Sequence, residues 1–303
     1  MTNIVILGPT ASGKTNVAAH LAFQLDAEII SADSRQVYRE MNIGTGKDLD
    51  SYLIENTLIP YHLIDIVDAG ESYHIAQFQK DVANALENIA LKNKPAIVCG
   101  GSGMYIESLL KSFDYTQVPV DESLRNDLET KSNEELARIF EQNQSSFNTV
   151  ADISTRKRLI RAIEINHQII ENAYEYKPQA PILSNYKVFG LAIEAEERRK
   201  KIDERLVFRL KNGMIDEVKY LLEKGISPEK LIFYGLEYKF ITQYILGEMP
   251  YNEMVGKLQI AIHQFAKRQM TYFRSMERKG ILINWIDAQK QINLIIDEIK
   301  SFI

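Results

Sequence analysis

One cysteine, Cys99, occurs in 303 residues. A single thiol excludes an intramolecular disulfide and any cysteine-rich zinc site. Its place at the end of an apolar run reads as a small buried core residue. No apolar run approaches the ~20 residues that a membrane-spanning helix needs, so no membrane is expected. The N-terminus runs directly into a strand pattern with no basic-plus-apolar leader, which points to a cytoplasmic protein. Internal repeats and low-complexity tracts are absent as well. Net charge is small: 36 Lys and Arg against 41 Asp and Glu, or −5. At first sight that total argues against nucleic acid, but local distribution decides the matter. Residues 261–280 carry Lys267, Arg268, Arg274, Arg278 and Lys279 against Glu277 alone, and Arg156, Lys157, Arg158 and Arg161 form a smaller cluster. From composition alone, a solvated helix face accounts for each.

What is present begins at Gly8-Pro9-Thr10-Ala11-Ser12-Gly13-Lys14-Thr15. This GxxxxGK[ST] pattern follows the apolar run at 3–7, a buried parallel strand, and leads into a helix through Val17, Leu21 and Ala22. Strand, loop and helix in that order make a phosphate-binding loop. The glycines let backbone N–H groups turn inward around an anion, and the helix N-terminus adds partial positive charge. Lys14 supplies a full charge, and the Thr15 hydroxyl is a candidate ligand for a magnesium ion shared with phosphates. The loop specifies a diphosphate or polyphosphate without saying which, or what is done with it.

The chain is long enough for one large domain or two smaller ones, and 45% hydrophobic with 25% charged residues is ordinary for a globular protein. A second strand pattern at 28–33 ends in Asp33, Ser34, Arg35 and Gln36, where ligands of open α/β sheets collect. A Gly-containing loop, Ile43-Gly44-Thr45-Gly46-Lys47, follows. Further strands are expected at 61–66 and 95–99, and a helix at about 74–92. Gly100-Gly101-Ser102-Gly103 then makes another tight turn into a helix. From about 114 to 186 strand patterns vanish, and helices are expected at 122–131, 133–141 and 154–171. Pro178 and Pro181 return the chain to a strand at 187–193. Three helices at about 197–212, 214–224 and 252–275 follow, then a strand at 281–285 and a terminal helix. This predicts a mostly parallel sheet flanked by helices with an inserted helical segment. In the helix at 252–275, Met254, Leu258, Ala261, Phe265 and Tyr272 form the expected core stripe. His263, Lys267, Thr271 and Arg274 line another face, a cationic ridge that suits a phosphate backbone as well as solvent.

Several stretches together resemble the tRNA dimethylallyltransferases, also called tRNA isopentenyltransferases. They are residues 8–15, Asp33-Ser34-Arg35-Gln36-Val37-Tyr38, residues 43–47, Gly100-Gly101-Ser102-Gly103-Met104-Tyr105, Arg158-Leu159-Ile160-Arg161-Ala162-Ile163-Glu164 and Ala266-Lys267-Arg268-Gln269-Met270-Thr271. The resemblance spans nearly the whole chain in the family's order. It implies an α/β P-loop NTPase-like (kinase-like) core over 1–113 and 187–303, and an all-helical insertion over 114–186 that grips tRNA. The implied reaction moves a dimethylallyl group from its diphosphate to the exocyclic N6 amine of adenosine 37, beside the anticodon. Mg2+ is the implied cofactor, the tRNA anticodon stem-loop and dimethylallyl diphosphate are the implied partners, and a monomer is expected.

Residues 8–15 would hold the diphosphate. Lys14, Thr10, the loop amides and the metal would stabilise the departing charge, with Arg205, which aligns with the family's arginine, on the opposite wall. The amine must lose a proton on alkylation, and Asp33 is the carboxylate placed to take it; a turn cap is the bland alternative for Asp33. Ser34, Arg35 and Gln36 would read an extruded base. Lys157, Arg158, Arg161, Lys267, Arg268 and Arg274 would hold phosphates or base edges. Three departures from the family pattern stand on the RNA side: Ile262-His263 for Thr-Arg, Glu237-Tyr238-Lys239 for Gly-Tyr-Lys/Arg, and Tyr272 for Trp. The rivals are a P-loop small-molecule kinase, an adenylate isopentenyltransferase, which needs no RNA grip, and a non-catalytic RNA-binding module.

Overall fold

The computed structural model describes residues 2–112, 115, 118–171 and 180–303; Pro178 lies outside these. The chain divides into two compact units, residues 1–111 with 181–303, and residues 112–180.

The larger unit is built on a six-stranded parallel sheet. Its strands are β1 (Asn3–Leu7), β2 (Glu28–Ser31), β5 (Tyr61–His62), β6 (Ala96–Gly100), β7 (Tyr186–Ala192) and β8 (Ile283–Asp287), in the order β5-β2-β6-β1-β7-β8. The short strands β3 (Leu53–Ile54) and β4 (Thr57–Leu58) form a separate antiparallel hairpin. Central β1 pairs with β6 through Ile4↔Ile97 and with β7 through Ile4↔Lys187. Its side chains alternate between two cores. Ile4 and Ile6 pack with Leu21, Ile97, Phe189 and Ile296, whereas Val5 and Leu7 pack with Phe78, Val98, Ile106 and Phe273. A strand covered on both faces needs apolar residues at every position, which is why β1 reads as an unbroken run.

Helix α1 (Lys14–Leu25) follows β1, α2 (Ile75–Leu91) precedes β6, and α3 (Gly103–Leu110) follows it. After β7 come α7 (Ala195–Lys211), α8 (Met214–Glu223), α9 (Pro228–Tyr234), α10 (Leu236–Ile245) and α11 (Tyr251–Arg278), and α12 (Ile292–Lys300) ends the unit. The helices after β7 share a third core around Leu206, Val218, Tyr238, Met254 and Leu258. The smaller unit contains α4 (Glu122–Thr130), α5 (Asn133–Gln142) and α6 (Arg156–Glu171), packed through Leu128, Leu136, Phe140 and Ile163. Its regular structure among the described residues is helical.

Three expectations need correction. The strand at 61–66 stops after His62, because Leu63 (φ 62°) and Asp65 (φ 56°) take left-handed backbone that no strand accommodates. Helices α9 and α10 were not anticipated; Gly235 at φ 152° breaks what would be one run into two short pieces. On α11 the buried stripe is Met254, Leu258, Ile262, Ala266, Gln269, Phe273 and Met276, while Ala261, Phe265 and Tyr272 are half-buried. Steps of four and three residues hold one face of a 3.6-residue helix, whereas the expected stripe slid onto its neighbour. Phe265 and Tyr272 thereby turn to the cleft described next.

Candidate active site

A cleft of about 390 Å³ opens at the carboxyl ends of β1, β2 and β6, where an open parallel sheet leaves room for ligands. The phosphate loop forms one wall. Gly13 (φ 80°) and Ala11 (φ 64°) turn its backbone through left-handed conformations, and Lys14 begins α1. Such alternation points successive N–H groups to one side and makes an anion-binding nest. The buried Ser12 hydroxyl has no partner. Among the described residues neither Lys14 nor Arg205 is ion-paired.

Arg205 reaches in from α7 and donates through Nη2 to the Thr10 hydroxyl. Burial, and then the neighbouring Arg209, push its pKa down to about 10. Burial also holds the Lys14 ammonium below the ordinary lysine value, against the opposing influence of Cys99 and Asp33. Two poorly solvated cations and an orphaned hydroxyl in one nest amount to a site short of an anion. Cys99 is itself a buried thiol, with its pKa pushed up to about 12 chiefly by burial.

Asp33 lines the same cleft just beyond the end of β2. Its Oδ1 accepts from the Arg35 backbone N–H at 2.9 Å, a local turn cap. No protein partner takes Oδ2 among the described residues. The capping and chemical readings of Asp33 therefore concern different oxygens. Ser102 fixes this turn by accepting from the Ser34 N–H at 3.1 Å. Arg35 lies over the Phe265 ring at 5.4 Å and 3.7 Å from Glu237. Gln36 turns inward, accepting from Ser31 Oγ and donating to the Gly46 carbonyl, both at 3.1 Å.

Gln269 ties α11 to the phosphate loop. Its Oε1 accepts from the Thr10 N–H at 2.8 Å, and its Nε2 donates to the Gly101 carbonyl at 2.9 Å. The sequence carries a signal for it beyond its motif: it is the one amide in an otherwise apolar stripe of α11. Arg209, Ile262, Phe265 and Tyr272 also line the cleft; Ile262 and Tyr272 are expected on the RNA side as departures from the family pattern, whereas Arg209 and Phe265 are not expected at the site.

A sequence model described as IPP transferase matches residues 36–276. The chain belongs to that family. It is 52% identical over 300 residues to tRNA dimethylallyltransferase 2 of Phocaeicola vulgatus, covering 96% of this chain and 97% of that one. It is likewise 52% identical over 290 residues to tRNA dimethylallyltransferase 1 of Parabacteroides distasonis, covering 94% and 92%. The crystal structure of the full-length tRNA isopentenylpyrophosphate transferase of Bacillus halodurans superposes with a TM-score of 0.72 at 28% identity, covering 99% of this chain and 95% of that one. The P-loop NTPase-like sheet flanked by helices is thus the fold of an IPP transferase.

The structure brings together in one IPP transferase cleft Thr10, Ala11, Gly13, Lys14, Thr15, Asp33, Ser34, Arg35, Gln36, Arg205 and Arg268. Gly8 and Pro9 complete the loop from the strand side, and Ser12 is buried within it. Tyr238 is a correction. It is 0% exposed, with its hydroxyl donating to Glu217, so it has no face for RNA. His263 pairs with Asp203 at 2.7 Å, and Lys239 lies over the Phe240 ring at 5.4 Å. Lys267 and Arg274 are exposed on α11 and unpaired among the described residues. In the smaller unit Lys157 is exposed and Arg158 pairs with Asp152 at 2.7 Å. Arg161 braces that unit, its guanidinium donating to the Val118 and Pro119 carbonyls and to Glu164.

Proposed function

We propose that this enzyme transfers a dimethylallyl group from dimethylallyl diphosphate to the exocyclic N6 of adenosine 37 in tRNA, releasing diphosphate. The carrying observation is one cleft lined both by an anion-deficient nest and by Asp33, whose Oδ2 has no protein partner among the described residues. The names of the similar proteins, tRNA dimethylallyltransferase and tRNA isopentenylpyrophosphate transferase, support this reading.

The loop amides, Ser12 and Lys14 bind the diphosphate. Arg205, held on Thr10, meets the charge that develops on the leaving oxygens. The apolar walls Ile262 and Phe265 take the five-carbon tail, worth about 0.8 kcal/mol per buried CH₂. The N6–carbon bond forms as the carbon–oxygen bond breaks, the electron pair leaves with diphosphate, and the amine proton passes to Asp33. The residues fit a magnesium ion, since Thr15 lies in the cleft beside the nest and would hold it. The metal would neutralise diphosphate charge. A stacked adenine cannot present its amine, so the base enters extruded, with Arg35, itself packed over Phe265, as its stacking wall. Lys157 and Arg158 of the 112–180 unit, with Lys239, His263, Lys267, Arg268 and Arg274, hold the tRNA. The enzyme works as a cytoplasmic monomer.

The test is mass analysis of nucleosides after incubating protein, Mg2+ and dimethylallyl diphosphate with unmodified tRNA, with AMP and ATP in parallel. Prenylated adenosine from tRNA alone is expected. Prenylated AMP would favour the adenylate enzyme, and hydrolysis of ATP with no prenyl product would favour a kinase.

A further inference from the structure

The loop at 42–47 supplies Gly44, Thr45 and Gly46 to the cleft wall, yet its backbone is not held by a strand or helix of its own. The N–H groups of Gly46 and Lys47 close turns within the loop, on the Ile43 and Asn42 carbonyls, whereas those of Asn42, Ile43 and Gly44 converge on one side chain from the first turn of α8. Glu217 Oε2 accepts from the Asn42 and Ile43 N–H groups at 2.8 and 2.7 Å. Its Oε1 accepts from the Gly44 N–H at 3.0 Å and from the Tyr238 hydroxyl at 2.7 Å. Four donors thus share one carboxylate, and three of them are consecutive backbone amides. The buried Tyr238 ring backs the same place so closely that a Cβ on Gly44 would come within 2.7 Å of it. At the far end of the loop, Lys47 donates to the Tyr38 carbonyl and pairs with Asp65 at 2.5 Å.

The other side of the loop faces the cleft. The Gly46 carbonyl accepts from Gln36 Nε2 at 3.1 Å, and a Cβ on Gly46 would lie 2.5 Å from the Arg209 guanidinium. Displacing residues 42–46 therefore releases Gln36 and shifts Arg209. The phosphate loop is held separately, by Gln269 and Arg205.

We infer that Glu217 is a positioning residue for the transfer reaction, a carboxylate clasp that sets the 42–47 loop and through it the wall that receives the acceptor nucleotide. The inference rests on the proposed prenyl transfer to tRNA. Its chemistry is specific to a carboxylate. Two acceptor oxygens serve four donors, whereas a glutamine would set its own NH₂ against two of them.

Glu217→Gln tests it with three readouts: hydrogen exchange at the 42–44 amides, calorimetric binding of inorganic diphosphate, and steady-state transfer to tRNA. Exchange at those amides should rise about tenfold or more, and kcat/KM for tRNA should fall about 10- to 100-fold, as expected when one or two buried donors lose their acceptor. Diphosphate affinity should stay within about twofold, because the nest is held elsewhere. Gly44→Ala, which drives a methyl into the Tyr238 ring, should give the same split and serves if Glu217→Gln does not fold. Unchanged exchange and unchanged kcat/KM for tRNA would overturn the clasp. So would equal losses of diphosphate binding and tRNA transfer, which mark general damage. A wild-type enzyme that binds diphosphate but prenylates no tRNA would overturn the functional reading on which the clasp rests.

Discussion

Asp33→Asn separates the two oxygens of one carboxylate. In the folded enzyme Asp33 lines the cleft, its Oδ1 accepts from the Arg35 N–H at 2.9 Å, and its Oδ2 has no protein partner among the described residues. Asparagine keeps an oxygen for the first contact and puts an uncharged NH₂ in place of the second. Loss of a general base costs about 10²–10⁴ in rate, which is about 3–5 kcal/mol of transition-state stabilisation at 1.36 kcal/mol per decade. The turn cap is worth about 0.5–2 kcal/mol and asparagine keeps it, so it does not account for such a loss. Asp33→Asn should therefore lower kcat about 10²–10⁴-fold with an unchanged melting temperature. Asp33→Ala should lose as much activity and also melt about 2 °C lower. Diphosphate affinity should hold or rise in both, because a negative charge that acts on Lys14 is gone. Single-turnover transfer to tRNA, with calorimetry and thermal melts on the same samples, measures all three. Near-wild-type turnover by Asp33→Asn would refute the base and leave Asp33 as a cap.

Lys14→Ala should weaken dimethylallyl diphosphate and inorganic diphosphate together, since both use the same nest. Burial holds Lys14 below its ordinary 10.5, so wild-type diphosphate affinity should begin to fall with rising pH before that value, and Lys14→Arg should lessen the fall while leaving the part due to Arg205, whose pKa is pushed down to about 10. Glu28 is buried, which alone would raise its pKa, but hydrogen bonds from Lys92 and His62 hold it below the ordinary 4.5. Its stabilising contribution is full above 4.5 and is lost as pH drops through the depressed value, so wild type and Glu28→Gln should differ in urea midpoint at pH 7 and converge in acid. Lys267→Ala and Arg274→Ala should each reduce the salt slope of tRNA binding by about one unit; an unchanged slope in both would leave the ridge a solvated face.

The parallel sheet was legible because burial on both faces leaves a strong mark. β1, β6 and β7 are apolar at nearly every position, and each is followed by a glycine turn or a polar end that marks the carboxyl edge. The phosphate loop and Asp33 were legible for the same reason, as they sit at those edges. The helices after β7 were harder. There the core is shared among short amphipathic pieces, and a register slip of one residue on α11 moved Phe265 and Tyr272 from the cleft into an imagined core. Tyr238 was misplaced by the same kind of ambiguity. The family pattern Gly-Tyr-Lys/Arg puts it on the RNA side, but helical periodicity buries it between Glu237 and Lys239, which remain half-exposed.

Glu217 was beyond sequence reasoning for a different physical cause. An acidic residue in the first turn of a helix already has a local explanation, because it complements the partial positive charge of the helix N-terminus. Nothing in its neighbourhood asks for a second role. Its partners at residues 42–44 lie 173–175 positions away. They are backbone N–H groups, which every residue except proline carries, so no side-chain pattern advertises them. The only trace is negative: Gly44 has no Cβ where one would strike the Tyr238 ring. The anion nest and the loop clasp therefore differ in how they are written. A nest built from its own consecutive residues is visible as a motif, whereas a loop held by a remote carboxylate becomes visible only once the chain has folded around it.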